Sequence, residues 1–362
     1  MLFAATNGAR LGYRPALDGI RGVAVSLVLA AHLVPNLLIS AGAAGVIMFF
    51  TLSGFLITTL LIEEREASGR IDLPAFYRRR ALRLLPALIA VLALLLVLDT
   101  LVGSQAGYRR PAFFALFYAA NWAIISGIDF HHINHTWSLA IEEHFYLLWP
   151  LTTVLVLGHY SKRALLSIAL VGMACSVALR IVLWQSGASL PRVLYGTDTR
   201  LDGLLIGCVL AIAGARAIRR LPMPAVPIAV AAIASIILIR DDAYHFAAGY
   251  AAVASGTAVV IVACLAGQRT ASVLSIQPLV SVGRISYGLY LWHLPVYGAV
   301  FKYGASLPRL LQSVIAVVLA FSVAAVSYLI IERPFLRLKR RSRAPTRIQT
   351  GSRASDELRA AN

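Results

Sequence analysis

The stretch Leu17–Ile39, LDGIRGVAVSLVLAAHLVPNLLI, decides the fold class. It is long and apolar enough to span a bilayer, yet it holds Arg21 near one end and His32 in its interior. An ionisable group inside a membrane span is costly, so its presence points to a functional site. The spacing strengthens the point. At about 1.5 Å per residue, His32 lies about 16 Å deeper than Arg21, and close to three full turns keep both on one face. The two read as a surface cation and a buried base lining one groove. The plainer alternative is a snorkelling arginine and a histidine satisfied by a neighbouring helix.

Composition extends this reading to the whole chain. Of the 362 residues, 59% are hydrophobic and 14% charged, and the mean hydropathy is +0.77. That balance excludes a soluble domain and indicates an all-α polytopic membrane protein. A net charge of +17 would suggest a nucleic-acid partner in a soluble chain. Here Lys and Arg gather in short loops and the two tails, as a positive-inside bias requires, so no nucleic acid is expected. Cys175, Cys208 and Cys264 lie in separate apolar segments without CxxC pairing and read as small core residues. Arg10 and Arg14, an apolar run and AGAAG imitate a signal peptide. Cleavage would discard His32, so a retained signal-anchor span is expected.

Further apolar stretches follow at Ala43–Ile62, Leu84–Val102, Ala112–Ser126, Leu139–Gly158, Ala164–Trp184, Leu201–Ala213, Ala225–Ile239, Phe246–Ala266, Tyr287–Tyr303 and Leu307–Ile331. If every one crosses, Lys162–Arg163, Arg216–Arg220 and Arg269 fall on the side opposite the N-terminus. If Ala112–Ser126, which is short for a span, is instead re-entrant or interfacial, all of these face the cytoplasm together with Arg337–Arg347. The consistent solution has about ten transmembrane helices and both termini cytoplasmic. Residues 1–340 then form one transmembrane domain, and 341–362 a basic tail expected to be disordered.

Three motifs carry the chemistry. FYRRRALRLLPAL sets Arg79, Arg80 and Arg83 within a turn or so of one another at a membrane entrance. Guanidinium groups suit bidentate phosphate recognition, although any juxtamembrane basic cluster also meets lipid head groups. HHINHTWSLAIEEHFYLLWP brings Trp137 and Ser138 to the start of a span, with Glu142 and Glu143 behind them. Adjacent carboxylates there cannot both face water, and Glu142 is expected to point into the bundle. His131, His132 and His135 fit no standard metal spacing, so no metal is assigned. TDTRLDGLLIG places Arg200 between Asp198 and Asp202, which reads as a salt-bridged node. His293, in SYGLYLWHLPV, reads as a packed, hydrogen-bonded residue, and ERPFLRLKRR as an ion pair or cap with a basic stop.

Together LDGIRGVAVSLVLAAH, GVIMFFTLSGFLIT, FYRRRALRLLPAL, HTWSLAIEEHFYLLWP, RLDGLLIGCVLA, SYGLYLWHLPV and ERPF resemble the integral-membrane acyltransferases (acyltransferase family three), which include bacterial lipopolysaccharide and peptidoglycan O-acetyltransferases. The matches run in collinear order from about residue 13 to 336. The resemblance implies an acyl group, commonly acetyl, taken from cytoplasmic acyl-CoA and delivered to a glycan or glycolipid hydroxyl at or beyond the outer face of a bacterial inner membrane. It places the family's first-span arginine and histidine on Arg21 and His32. The loop arginines fall on Arg80 and Arg83 with Arg79 beside them, and the WSL-x-x-E glutamate on Glu142. On this basis His32, Arg21 and Glu142 are the candidate catalytic residues. Arg79, Arg80 and Arg83 would hold acetyl-CoA, and Trp137, Ser138 and Arg200 the acceptor. His144 stands where the family often has Gln and would tune the acceptor site. The extracytoplasmic esterase-like domain of some members has no counterpart here, so the chain would act without it or with a partner.

Ser53 lacks a GxSxG-type context, which favours direct transfer over an acyl-enzyme. A proton-coupled transporter or flippase of a lipid-linked or glycan substrate would also use His32 and Glu142 as relays, but it has no need of a CoA clamp. A small-molecule acceptor, such as a macrolide or a nodulation oligosaccharide, is the remaining enzymatic alternative.

Overall fold

The computed structural model describes residues 11–101, 107–214 and 224–341. The basic group Arg216–Arg220 and the tail beyond 341 lie outside the described residues.

The architecture starts from a break within the opening stretch. Pro35 has no backbone N–H and disfavours helical geometry in the residue before it, and Val34 accordingly sits at φ −129° and ψ 66°. Helix α1 (Pro15–Leu33) stops there and α2 (Pro35–Ser68) begins. The single span expected over Leu17–Ile39 is therefore corrected: it ends at Leu33, and His32 lies in its last turn rather than in mid-helix. Gly42 of α2 faces Ala31 and Gly45 faces Ala24, so α2 folds back antiparallel along α1. It ends at Gly69, whose φ of 72° closes the helix in the left-handed region.

Helix α3 (Leu73–Leu101) begins well before the expected entry at Leu84, so the arginine cluster is helical. Next come α4 (Arg109–Leu116) and α5 (Ala120–Ile125), with Tyr118 at φ 54° between them. Ala112–Ser126 is thus two short helices, neither long enough to cross. The chain continues through α6 (Thr136–His159), α7 (Lys162–Gln185), α8 (Leu190–Tyr195), α9 (Thr197–Ala213) and α10 (Ala225–Leu238). It closes with α11 (Asp242–Leu265), α12 (Arg269–Leu274), α13 (Gln277–Arg284), α14 (Ser286–Tyr303) and α15 (Arg309–Leu338). Among the described residues there is no strand.

Among the described residues six helices, α1, α2, α3, α7, α11 and α15, are long and apolar enough to cross a membrane. The expected count of about ten is not reached by length and composition. Helix α9 has 17 residues and α10 has 14. Helix α6 carries Glu142, Glu143 and His144, and α14 carries His293 and Lys302, which lowers their apolar character.

Helices α1, α2, α9 and α11 pack at the centre, whereas α3, α7 and α15 turn apolar side chains outward. Of the most apolar window of α2, 72% is buried, against 22% for α7 and for α15. Small residues permit the closest central contact. A Cβ on Gly54 would lie 1.9 Å from the Leu204 carbonyl oxygen, and one on Gly207 2.1 Å from that of Thr51, so α2 and α9 meet backbone to backbone. A buried ion pair ties α7 to α9. Arg180 grips Asp202 through both Nη atoms at 3.0 and 2.9 Å and also donates to the carbonyls of Thr199 and Phe246. Such complete satisfaction is what lets a guanidinium persist away from water.

Candidate active site

Two adjoining cavities open within this bundle. The first is a narrow slot of 70 Å³, to which α1 contributes Arg21, α2 Ser53, α3 Arg80 and Arg83, and α6 Ser138 and Glu142. The second, of 450 Å³, holds His32, Trp137 and Arg200 together with Tyr195 and Tyr250. Val46 and Tyr290 line both and form the wall between them. Arg21 and His32 thus lie along α1 as their spacing suggests, but in separate, contiguous cavities rather than in one groove.

The slot is built around positive charge. Arg21 pairs with Asp18 one turn back at 3.5 Å. Arg80 approaches Glu143 at 3.9 Å and lies face-on to the Tyr146 ring at 3.4 Å. Arg83 makes no ion pair among the described residues. With Arg21 and Arg80 each beside a carboxylate, Arg83 is the slot cation without an ion pair among the described residues, and a phosphate suits a guanidinium so placed. Arg79 points elsewhere: it bonds Glu64 at 3.2 Å and lines neither cavity.

Helix α6 splits the tryptophan motif between the cavities. One residue along a helix turns the direction by about 100°, so Trp137 faces the larger cavity while Ser138 and Glu142, one turn apart, face the slot. Glu142 accepts a bond from Ser53 Oγ at 2.7 Å. Ser138 Oγ meets Tyr290 OH at 2.6 Å, and Tyr290 OH donates to the His135 carbonyl at 3.0 Å, which fixes the dividing wall. His144 lines neither cavity; its Nδ1 meets Thr197 Oγ1 at 2.9 Å and secures the start of α9.

In the larger cavity the tautomer of His32 follows from its partner. Its Nδ1 lies 2.8 Å from the Val28 carbonyl, and a carbonyl only accepts, so Nδ1 carries the proton. In the neutral ring Nε2 then holds the lone pair, as a general base requires. His293, fully buried, packs against His32 with ring centroids 5.0 Å apart, and donates through its own Nδ1 to the Tyr290 carbonyl. His135 packs on the other side of His293 at 5.1 Å. The three loop histidines grouped in the sequence are dispersed: His131 pairs with Asp129, His132 lies against Gly298, and His135 joins His293.

A profile of the acyltransferase-domain family matches residues 14–331, nearly all of the described bundle. The chain belongs to that family. It is also 34% identical over 345 residues to the O-acetyltransferase OatA of Staphylococcus aureus strain NCTC 8325, covering 89% of this chain and 57% of that protein. It is 32% identical over 354 residues to a putative O-acetyltransferase, SAS0844, of strain MSSA476, covering 91% of this chain and 58% of that one. The chain therefore spans somewhat more than half the length of these curated relatives. No solved structure matches it.

Within this acyltransferase domain, one expected contact is corrected. Arg200 is not bridged by its neighbours in sequence, because Asp202 is held by Arg180 and Asp198 by Arg192, with bonds of 2.8 and 2.5 Å. The Arg200 guanidinium instead lies 4.0 Å from the Tyr250 ring centroid and 5.8 Å from that of Trp137. Sequence reading also passed over Arg180, Tyr195 and Tyr250, and it gave Tyr290 no role beyond the aromatic run of SYGLYLWHLPV. The one signal for Arg180 was an arginine inside an apolar stretch, the same signal that singled out His32.

Proposed function

We propose that the chain is a membrane O-acyltransferase that moves an acetyl group from cytoplasmic acetyl-CoA to a glycan or glycolipid hydroxyl at the outer side. The observation that carries the reading is the pair of cavities on either side of the Tyr290 wall, one lined by Arg21, Arg80 and Arg83 and the other by a base whose tautomer is set. Membership of the acyltransferase-domain family and likeness to O-acetyltransferases support it.

The donor enters on the slot side. Arg80 and Arg83 hold the CoA phosphates, and the thioester arm passes Arg21 towards Val46 and Tyr290. The acceptor lies in the larger cavity, with its sugar face on the tilted Trp137–Tyr195 ring pair, whose centroids are 5.0 Å apart. His32 Nε2 takes the proton as the hydroxyl oxygen attacks the thioester carbonyl. The C–S bond then breaks, and the imidazolium returns its proton to the departing thiolate. Glu142, held by Ser53, orients the groups at the mouth of the slot.

Arg80 and Arg83 of the slot lie in the first three turns of α3, towards the end of the bundle where Arg65 of α2 bonds Leu157 of α6 and Lys162 pairs with Glu66. That side also carries Arg78 to Arg80 and Arg163, which supports its facing the cytoplasm of the inner membrane with both termini. The crossings then number ten if α6, α9, α10 and α14 all span. A reporter fused after Gly127 is expected to read as outside; a cytoplasmic reading overturns this topology. The activity is tested with purified protein, labelled acetyl-CoA and a glycan panel. Label appearing on an acceptor is the expected result, and failure of the folded protein to bind acetyl-CoA would sink the proposal.

A further inference from the structure

We infer that the acceptor carries an anionic group, a carboxylate or a phosphate, and that Arg200 in the larger cavity is the residue that recognises it. The inference rests on the assignment of that cavity to the acceptor. Three observations converge on it.

Arg200 is only 3% exposed, lines the cavity, and its Nη1 meets no hydrogen-bond partner among the described residues. A guanidinium buried without a counter-charge is costly, because the low-dielectric interior does not replace the water it has lost. The carboxylates that flank it in sequence do not serve it. Asp202 is chelated by Arg180, which is itself fully buried, and Asp198 by Arg192. Counting the buried charges in this part of the bundle, Arg180 and Asp202 cancel and Arg200 is left over.

The aromatic setting agrees. A guanidinium lying over an aromatic ring is held without a counter-charge, and the Tyr250 ring 4.0 Å from Arg200 supports it in that way while Nη1 is left unpartnered among the described residues. Trp137, 5.8 Å from Arg200, also stacks with Tyr195, so the platform that suits a sugar ring adjoins the cation that suits its charged substituent. At the rim Arg240 and Asp242 are exposed and opposite in sign, and they leave the interior charge uncompensated.

The test compares charged and neutral acceptors within matched pairs, using the full chain and labelled acetyl-CoA. One pair is a uronic-acid oligosaccharide and its methyl ester; the other is a phosphate-bearing glycolipid and the same glycoside without phosphate. Wild type is expected to favour the charged member of one pair by at least about tenfold in kcat/KM, the worth of one charge-assisted contact. Which pair responds tells carboxylate from phosphate. Arg200→Gln is expected to bring that ratio near unity, and Arg200→Lys to leave it between the two. The ratio is taken within each protein, so a partly misfolded variant does not mimic the effect. If Arg200→Gln fails to fold, the wild-type and Arg200→Lys ratios decide. Equal rates on both members of both pairs overturn the inference while leaving acetyl transfer in place, as does a wild-type ratio retained by Arg200→Gln. No transfer to any acceptor by folded wild type removes both.

Discussion

The two cavities face opposite demands across one wall. The slot presents three guanidinium groups and Glu142 in 70 Å³, while the larger cavity presents His32, an aromatic floor and the buried guanidinium of Arg200 in 450 Å³. Guanidinium groups hold phosphates and the water that comes with them; proton abstraction from a hydroxyl benefits from a more apolar surrounding and a fixed lone pair. Tyr290 and Val46 keep these environments apart while leaving them adjacent. Under the proposed function the kind of work differs: binding energy on one side, chemistry on the other.

Substitutions can break this division. His32→Ala removes the base and is expected to lower kcat by about 10²–10⁴-fold, with acetyl-CoA binding retained, read by single-turnover transfer and equilibrium binding. Under the proposed function Arg83→Ala deletes a charge-assisted phosphate contact, and it is expected to raise the donor KM about 10- to 100-fold with the acceptor KM unmoved. A scaffold change affects both sides at once. Gly54→Ala forces a methyl group onto the Leu204 carbonyl, and about 1–3 kcal/mol of stability should be lost, seen as a lower thermal midpoint in detergent.

Smaller effects sharpen the boundary. Glu142→Gln keeps a partner for Ser53 but turns a charge-assisted bond into a neutral one, with an expected loss of about fivefold in kcat/KM. Arg79→Ala, whose side chain pairs with Glu64 outside the slot, should change the donor KM by less than about fivefold. A loss with Arg79→Ala as large as that with Arg83→Ala would mean that the donor is held outside the slot.

How far the sequence reveals this site depends on whether a contact lies along one helix or between helices. Arg21 and His32, or Arg80 and Arg83, are related by helical period, and spacing alone puts each pair on a common side. Ser138 and Glu142, four residues apart, are legible for the same reason, whereas Trp137 turns to the other cavity. Pro35 is also a local signal, but the apolar run that continues to Ile39 masks the end of α1. Contacts between helices leave no such trace. Nothing in the spacing tells that Asp202 belongs to Arg180 rather than to Arg200, or that His293 packs on His32. The span count is hard to read because helices lining the cavities, α6 and α14 above all, trade apolar residues for functional ones.

The division of labour is tested most directly by steady-state acetyl transfer from labelled acetyl-CoA, with KM for the donor and kcat measured for wild type, His32→Ala and Arg83→Ala. The predicted result is a clean split: His32→Ala lowers kcat with the donor KM unchanged, and Arg83→Ala raises the donor KM with kcat within a few-fold of wild type. A His32→Ala protein that turns over at the wild-type rate, or an Arg83→Ala protein with unchanged donor KM, would contradict the assignment of chemistry to one cavity and donor binding to the other.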